Sequence, residues 1–174
     1  MKKRILLTIA LFAALNTLFA QTNNETLRLF LPTAYKWKVA SDQERGNARM
    51  MELIPGNETL SNWSIIVTTV SMKGVKNMPL TTIMNTIYNK TKVNAPQSHL
   101  LMIERKDVGT NPWIIFRISP GFGKSRNPES QLYFVIQGNQ NLYNNFVAVK
   151  KDMLGPLFID QWTRVFKSSK LIYK

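Results

Sequence analysis

The stretch QLYFVIQGNQNLYNNFVAV, residues 131–149, decides the fold that the sequence predicts. Two runs rich in β-branched and aromatic residues, 131–137 and 143–149, flank the turn-forming segment 138–141. Short apolar runs on either side of a turn that contains glycine and asparagine are typical of a β-hairpin. We therefore expect two neighbouring antiparallel strands here.

Working outward from this hairpin, the same signals predict more strands. Alternating apolar and polar residues indicate a strand over 35–40, and the polar segment with Gly46 that follows indicates a loop over 41–47. Proline cannot extend a strand ladder, so Pro55 should end the next strand. Further strands are predicted over residues 49–54, 64–71, 100–106 and 113–119.

Two segments change to the periodicity of a helix. Residues 79–93 carry an apolar face and begin with Pro79, which suits a first helical turn. A second amphipathic helix is predicted after Gly155 and Pro156, with Trp162 on its apolar face. Several strands with two widely separated helices predict an α+β fold, an antiparallel or mixed sheet with helices packed on it. We expect the four tryptophans to fill the core, with their indole N–H groups partnered at its edges.

The first twenty residues have the layout of a secretory signal peptide. Lys2, Lys3 and Arg4 precede an uncharged apolar run that is too short to span a bilayer permanently, and Ala20 suits the last position before cleavage. We therefore expect residues 1–20 to be a leader and residues 21–174 to form one domain. The mature chain would be periplasmic or secreted, without a transmembrane anchor.

Charge and composition narrow the possible functions. The chain has 23 basic and 10 acidic residues, and removing the leader leaves a net charge of +10. Such a surface attracts anionic partners, which for an exported protein are an anionic envelope component or an acidic protein. Nucleic acid is not an expected partner. Cysteine is absent, which excludes disulfides and thiolate metal sites, and no metal or other cofactor is predicted.

Several motifs together resemble a known group of proteins. The later part of the sequence contains Pro128-Glu129, Ile136-Gln137-Gly138 and a C-terminal helix with Trp162. The earlier part contains Glu52-Leu53-Ile54-Pro55-Gly56 and Asn62-Trp63-Ser64. This spacing resembles small exported bacterial proteins of poorly characterised function with a PsbP-like fold. The resemblance implies a PsbP-like α/β/α sandwich and export. It implies no catalytic residues.

One loop combines glycines with cations. The run Gly121-Phe122-Gly123-Lys124-Ser125 lacks the glycine spacing of a phosphate-binding P-loop, because Ile118 stands where the first glycine belongs. Successive N–H groups flanked by cations can still bind an anion. The predicted binding residues for an anion or partner are Arg117, Lys124, Ser125 and Arg126.

Signals for catalysis are weak. His99 is the only histidine, and it is adjacent to Ser98 without a pattern that places a carboxylate beside it. The acidic pairs Asp42/Glu44 and Glu104/Asp107 stand near basic residues, which favours surface ion pairs.

The leading hypothesis is a non-catalytic exported binding or accessory module that uses a basic surface around residues 117–126. One alternative is an envelope-acting hydrolase whose carboxylates or serine are brought together by the fold. Another is a subunit of an envelope or secretion assembly, which would expose a large apolar patch.

Overall fold

The computed structural model describes residues 24–119 and 128–173. The predicted leader, residues 1–20, lies outside the described residues. The strands are β1 (Glu25–Arg28), β2 (Lys38–Arg45), β3 (Ala48–Ile54), β4 (Ile65–Lys73), β5 (His99–Lys106), β6 (Trp113–Ser119), β7 (Ser130–Gln137), β8 (Asn141–Val149) and β9 (Lys170–Tyr173). The helices are α1 (Leu80–Asn94) and α2 (Pro156–Lys167), and a short 3₁₀ turn covers Thr33–Tyr35.

Seven strands form one antiparallel sheet in the order β2-β3-β4-β8-β7-β6-β5. The predicted hairpin is β7 and β8, and β8 also pairs along its whole length with β4. This pairing joins two meanders, β2-β3-β4 and β5-β6-β7-β8, into a single sheet. The predicted α+β class, with helices packed on an antiparallel sheet, is confirmed.

The register of the ladders gives the sheet two distinct ends. At the upper end β2, β4, β5 and β7 begin, whereas β3, β6 and β8 end; the opposite end is the lower end. Helix α1 runs from the lower end to the upper end, because Leu80 lies near Gly138 while the Tyr88 hydroxyl donates to the Ser98 carbonyl just before β5. Helix α2 follows β8 and so begins at the upper end.

Each face of the sheet buries its own core. On one face, Trp162 and Phe166 of α2 pack on a cluster that includes Leu132, Phe134 and Val147. On the other face, α1 covers a cluster that includes Phe116 and Val135. Central strands that are buried on both faces need apolar residues at nearly every position, which explains the continuous apolar run in β7.

A buried carboxylate attaches the N-terminal strand to the β7–β8 turn. Strand β1 pairs only with β9, and Glu25 at its start is 5% exposed. The Glu25 carboxylate accepts hydrogen bonds from the backbone N–H groups of Asn139 (2.6 Å), Gln140 (3.1 Å) and Asn141 (3.1 Å). Its main-chain carbonyl accepts a further bond from the Tyr143 hydroxyl at 2.8 Å. We call this set of contacts the Glu25 latch.

Glycine at position 138 makes the latch possible. A Cβ atom added to Gly138 would lie 2.1 Å from the Glu25 Oε1 atom, far inside contact distance. Only a residue without a side chain lets the carboxylate approach the turn so closely. Successive N–H groups in a turn form a concave site for an anion, and here a residue of the same chain fills that site.

Three features differ from the sequence prediction. Strand β2 continues through the predicted loop to Arg45, because Asp42 pairs with Arg49 across the hairpin and only Gly46 and Asn47 form the turn. The short strands β1 and β9 were not predicted, since neither has a strong strand pattern. Trp162 is fully buried, and its indole N–H has no acceptor among the described residues.

The Glu25 latch predicts that substitutions at Glu25 and Gly138 have coupled effects on the free energy of unfolding. Glu25→Ala should lower the free energy of unfolding by about 2–3 kcal/mol, because it leaves buried N–H groups without an acceptor. Gly138→Ala should be at least as costly, because its methyl group displaces the carboxylate. Since both changes remove one interaction, the double variant should cost at least about 1 kcal/mol less than the sum of the single variants in urea unfolding.

The control for this cycle is Gly155→Ala, where an added Cβ meets no atom within 4 Å and the cost should stay within about 1 kcal/mol. Strictly additive effects of Glu25→Ala and Gly138→Ala would contradict the latch.

The buried hydroxyl group of Tyr143 leads us to expect that the protein loses stability at high pH. Burial raises its pKa from an ordinary 10.0 to about 12, so the native state holds the phenolic proton more tightly than the unfolded state does. The resulting stabilisation is complete below pH 10 and is lost as the pH rises from 10 to 12. In urea unfolding between pH 8 and 12, Tyr143→Phe should start less stable but lose less stability above pH 10. Parallel profiles for the two proteins would show that Tyr143 does not titrate in this way.

Candidate binding surface at the upper end of the sheet

The structure describes one of the four predicted binding residues. Arg117 lies near the upper end of β6, half-buried, opposite Leu101 of β5 and Leu132 of β7. It shares the face of the sheet that carries α2. Lys124, Ser125 and Arg126 lie outside the described residues. The predicted loop leaves the sheet after Ser119 and returns at Ser130, so both of its connections are at the upper end.

Lysines from three separate segments meet at this same end. Each belongs to a strand terminus, a helix terminus or a loop at the upper end, and each is exposed. None forms an ion pair with an acidic residue of the described chain. These upper-end lysines are Lys36, Lys38, Lys90, Lys92, Lys150 and Lys151.

Lys150 is held beside an aromatic ring of a neighbouring loop. Lys150 and Lys151 follow β8, and the Ser130 hydroxyl donates to the Lys151 carbonyl at 2.8 Å, which fixes this loop against the start of β7. The Lys150 Nζ atom lies 4.7 Å from the ring centroid of Trp63. A cation over an indole face is stabilised by the electrons of the ring. The contact therefore links the β8–α2 loop to the β3–β4 loop.

The other four upper-end lysines come from two further segments. The Gly56 N–H donates to the Tyr35 carbonyl at 3.3 Å, which places neighbouring Lys36 beside the end of β3, and Lys38 begins β2. Lys90 and Lys92 belong to the last turns of α1. Cations are favourable there because the C-terminus of a helix carries a partial negative charge.

Few acidic residues offset this charge. Of the ten carboxylates in the chain, three lie at the upper end: Glu58, Glu129 and Asp152. Glu58 accepts hydrogen bonds from the N–H and hydroxyl of Ser64, at 2.7 and 2.5 Å. Glu129 accepts one from the Gln131 amide at 2.6 Å. Asp152 is exposed beside Lys151.

At the lower end, cations and carboxylates are closely paired. Arg49 contacts Asp42 and approaches Glu44, which also lies 4.0 Å from Lys73. Arg105 pairs with Asp107 at 2.9 Å. The hydrogen bond from Arg49 lowers the pKa of Asp42, so this carboxyl stays charged to lower pH. The predicted surface pairing of these acids is confirmed, although Asp42 and Glu44 pair with Arg49 rather than with Arg45.

Two larger cavities lie toward the lower end, besides one of about 220 Å³ beside β1. A cleft of about 670 Å³ is bounded by the N-terminus of α1, the β5–β6 loop and the β7–β8 turn, and its one arginine, Arg105, is already paired with Asp107. A smaller cavity of about 360 Å³ lies between α2, β6 and β9 and includes Lys106, Lys167 and Lys170. There Lys167 donates to Glu104 at 2.6 Å, which offsets part of the charge. Neither cavity matches the upper end in unpaired cations.

The residues considered for catalysis do not form a triad. The Ser98 hydroxyl donates to the Ala95 carbonyl, so its proton is already engaged by the backbone. His99 is exposed and lies opposite Ser119 across β5 and β6, with no hydrogen bond between their side chains among the described contacts. Within residues 24–119 and 128–173, no cluster of three or more histidine or acidic side chains is placed to bind a metal.

Neither described helix has the length and apolar character needed to cross a membrane. Compared with known proteins, the chain matches no family model and no curated sequence.

Proposed function

We propose that this protein is an exported, non-catalytic binding or accessory module whose upper end binds an anionic component of the cell envelope. The observation that carries the proposal is the convergence of six exposed lysines at one end of the sheet, without ion pairs to the acids of the described chain. Unpaired cations on one surface raise the local concentration of anionic partners by long-range attraction.

The paired charges at the lower end support this choice of surface. Arg49, Lys73 and Arg105 there have carboxylates within ion-pair distance, so the lower end offers a smaller net field to a partner even though Arg45 and Lys76 have no such partner among the described acids. Positive charge is thus concentrated at the upper end, which gives the molecule an electric dipole along the direction of its strands. A polar charge distribution orients the protein as it approaches an anionic surface, with the upper end leading.

The relationship to exported proteins with a PsbP-like fold is part of the same proposal. Its support is the arrangement of a helix on each face of an antiparallel sheet, together with the motifs around Ile54 and Gly138. Export is supported by the leader-like layout of residues 1–20 and by a cysteine-free chain that needs no disulfide.

Charge reversal at the upper end tests the proposed function. The double variant K150E/K151E should elute from immobilised heparin at lower salt than the unmodified protein and bind soluble heparin at least about tenfold more weakly, since each lysine near an anionic surface contributes about 1 kcal/mol. The measurement uses the chain from residue 21 onward, at low and at physiological ionic strength.

The matched control is R45E/K76E, which makes the same change in net charge at the lower end. Arg45 and Lys76 are both exposed, and neither forms an ion pair with the described acids. This control should bind heparin nearly as well as the unmodified protein. Equal weakening by both double variants would mean that net charge alone drives binding, and the upper end would then not be a site.

A further inference from the structure

The upper end also exposes apolar side chains between its lysines. Leu157 in the first turn of α2 is 86% exposed, Met153 in the preceding loop is 53% exposed, and Leu60 in the β3–β4 loop is 45% exposed. We call these three residues the apolar tips. Exposing such side chains to water is unfavourable, so an interface that removes them from water would gain free energy.

The apolar tips and two of the upper-end lysines lie on two neighbouring segments, the β8–α2 segment and the β3–β4 loop. Lys150 and Lys151 precede Met153 and Leu157 in the β8–α2 segment, while Leu60 precedes Trp63 in the β3–β4 loop. The contact between Lys150 and Trp63 holds these loops side by side. Apolar and cationic groups are therefore both present where these two segments meet.

This pattern fits a lipid surface better than it fits an acidic protein. A protein partner needs a continuous, complementary patch with an apolar centre and a polar rim. Single apolar side chains that project separately, two of them shortly after Lys150 and Lys151 in the chain, have no such centre. A fluid bilayer interface accommodates separate projecting side chains, and lysines bury their aliphatic stems while their ammonium groups contact anionic head groups.

We infer that the upper end docks on the surface of a bilayer that contains anionic lipids. The inference rests on the proposed function and names its partner. The upper-end lysines contact the head groups, and Met153 and Leu157, with Leu60, enter the boundary between head groups and acyl chains. Asp152 stands within this surface and opposes binding, because its carboxylate approaches the same head groups.

Vesicle binding tests the contribution of the lysines and the contribution of the exposed apolar side chains. The chain from residue 21 onward should co-sediment with vesicles of phosphatidylglycerol and phosphatidylcholine but poorly with phosphatidylcholine alone. The variant M153S/L157S should bind the anionic vesicles at least about tenfold more weakly, since it removes apolar area from the interface. Asp152→Asn should bind them more tightly than the unmodified protein.

The matched control for the apolar change is M78S/V108S. Met78 and Val108 are 42% and 77% exposed and lie at the lower end, so their replacement should leave vesicle binding unchanged. Thermal unfolding of all variants checks that the fold is retained. An equal loss of binding in both double variants would contradict docking through the upper end.

The absence of cysteine allows a direct test of insertion. Leu157→Cys labelled with an environment-sensitive nitrobenzoxadiazole dye should show a blue shift and gain intensity on anionic vesicles, whereas labelled Val108→Cys should not change. No spectral change at position 157 in protein that co-sediments with the vesicles would overturn the inference.

The outcomes separate this inference from the proposed function. If M153S/L157S binds both heparin and anionic vesicles normally, the lipid-insertion inference fails while the binding function of the lysines stands. If K150E/K151E keeps full affinity for heparin, the proposed function itself fails. Normal heparin binding without any vesicle binding would favour an acidic protein as the partner and would overturn the lipid inference.

Discussion

The nine-residue ladder between β4 and β8 is the constraint on which the rest of the structure depends. Each residue from Ile65 to Lys73 faces a partner between Val149 and Asn141, although the two segments are about seventy residues apart in the chain. Without this ladder the two meanders would each end in an unpaired strand edge, which is unfavourable in water. Because both faces at this seam are covered, its buried positions carry uncharged residues, including the polar Thr68 and Asn145. Charged residues are consequently displaced to the edges and ends of the sheet.

That displacement explains why the candidate binding surface lies at one end of the sheet and not on one of its faces. At the lower end the displaced charges form ion pairs across hairpins and between neighbouring loops, so their fields largely cancel. At the upper end lysines from three segments come together with three carboxylates, two of which already accept hydrogen bonds from their own loops. The remaining field acts over about one Debye length, near 8 Å at physiological salt, which is enough to orient an approaching surface.

The sequence predicts elements well where burial repeats with a fixed period, and poorly where long-range contacts decide. The bounds of β6 and the start of α2 follow from apolar runs and from Pro156, and the structure places them as expected. Strand β2 was predicted too short because its second half is polar and is held by pairs such as Asp42 with Arg49. Strands β1 and β9 depend on the Glu25 latch, whose other half lies more than a hundred residues away.

The candidate binding surface likewise has one part that the local sequence predicts and another part that depends on long-range contacts. Glycines and cations are adjacent in the sequence around Lys124, and this local pattern predicts a binding segment there. Lys36, Lys90 and Lys150 are far apart in the chain, and only the strand order brings them to one end. That the loop after Ser119 joins this end is a consequence of topology, which no local pattern encodes.

The Glu25 latch also constrains how the protein could reach a membrane. It fixes the start of the described chain at the lower end, opposite the lysines and the apolar tips. A leader held in the membrane would be joined to Glu25 by only four residues, which reach at most about 14 Å when extended. The strands alone separate the two ends by about 30 Å. On the proposed route of export, a chain still attached to its leader would therefore be unable to turn its upper end onto the same bilayer, and cleavage would have to precede docking.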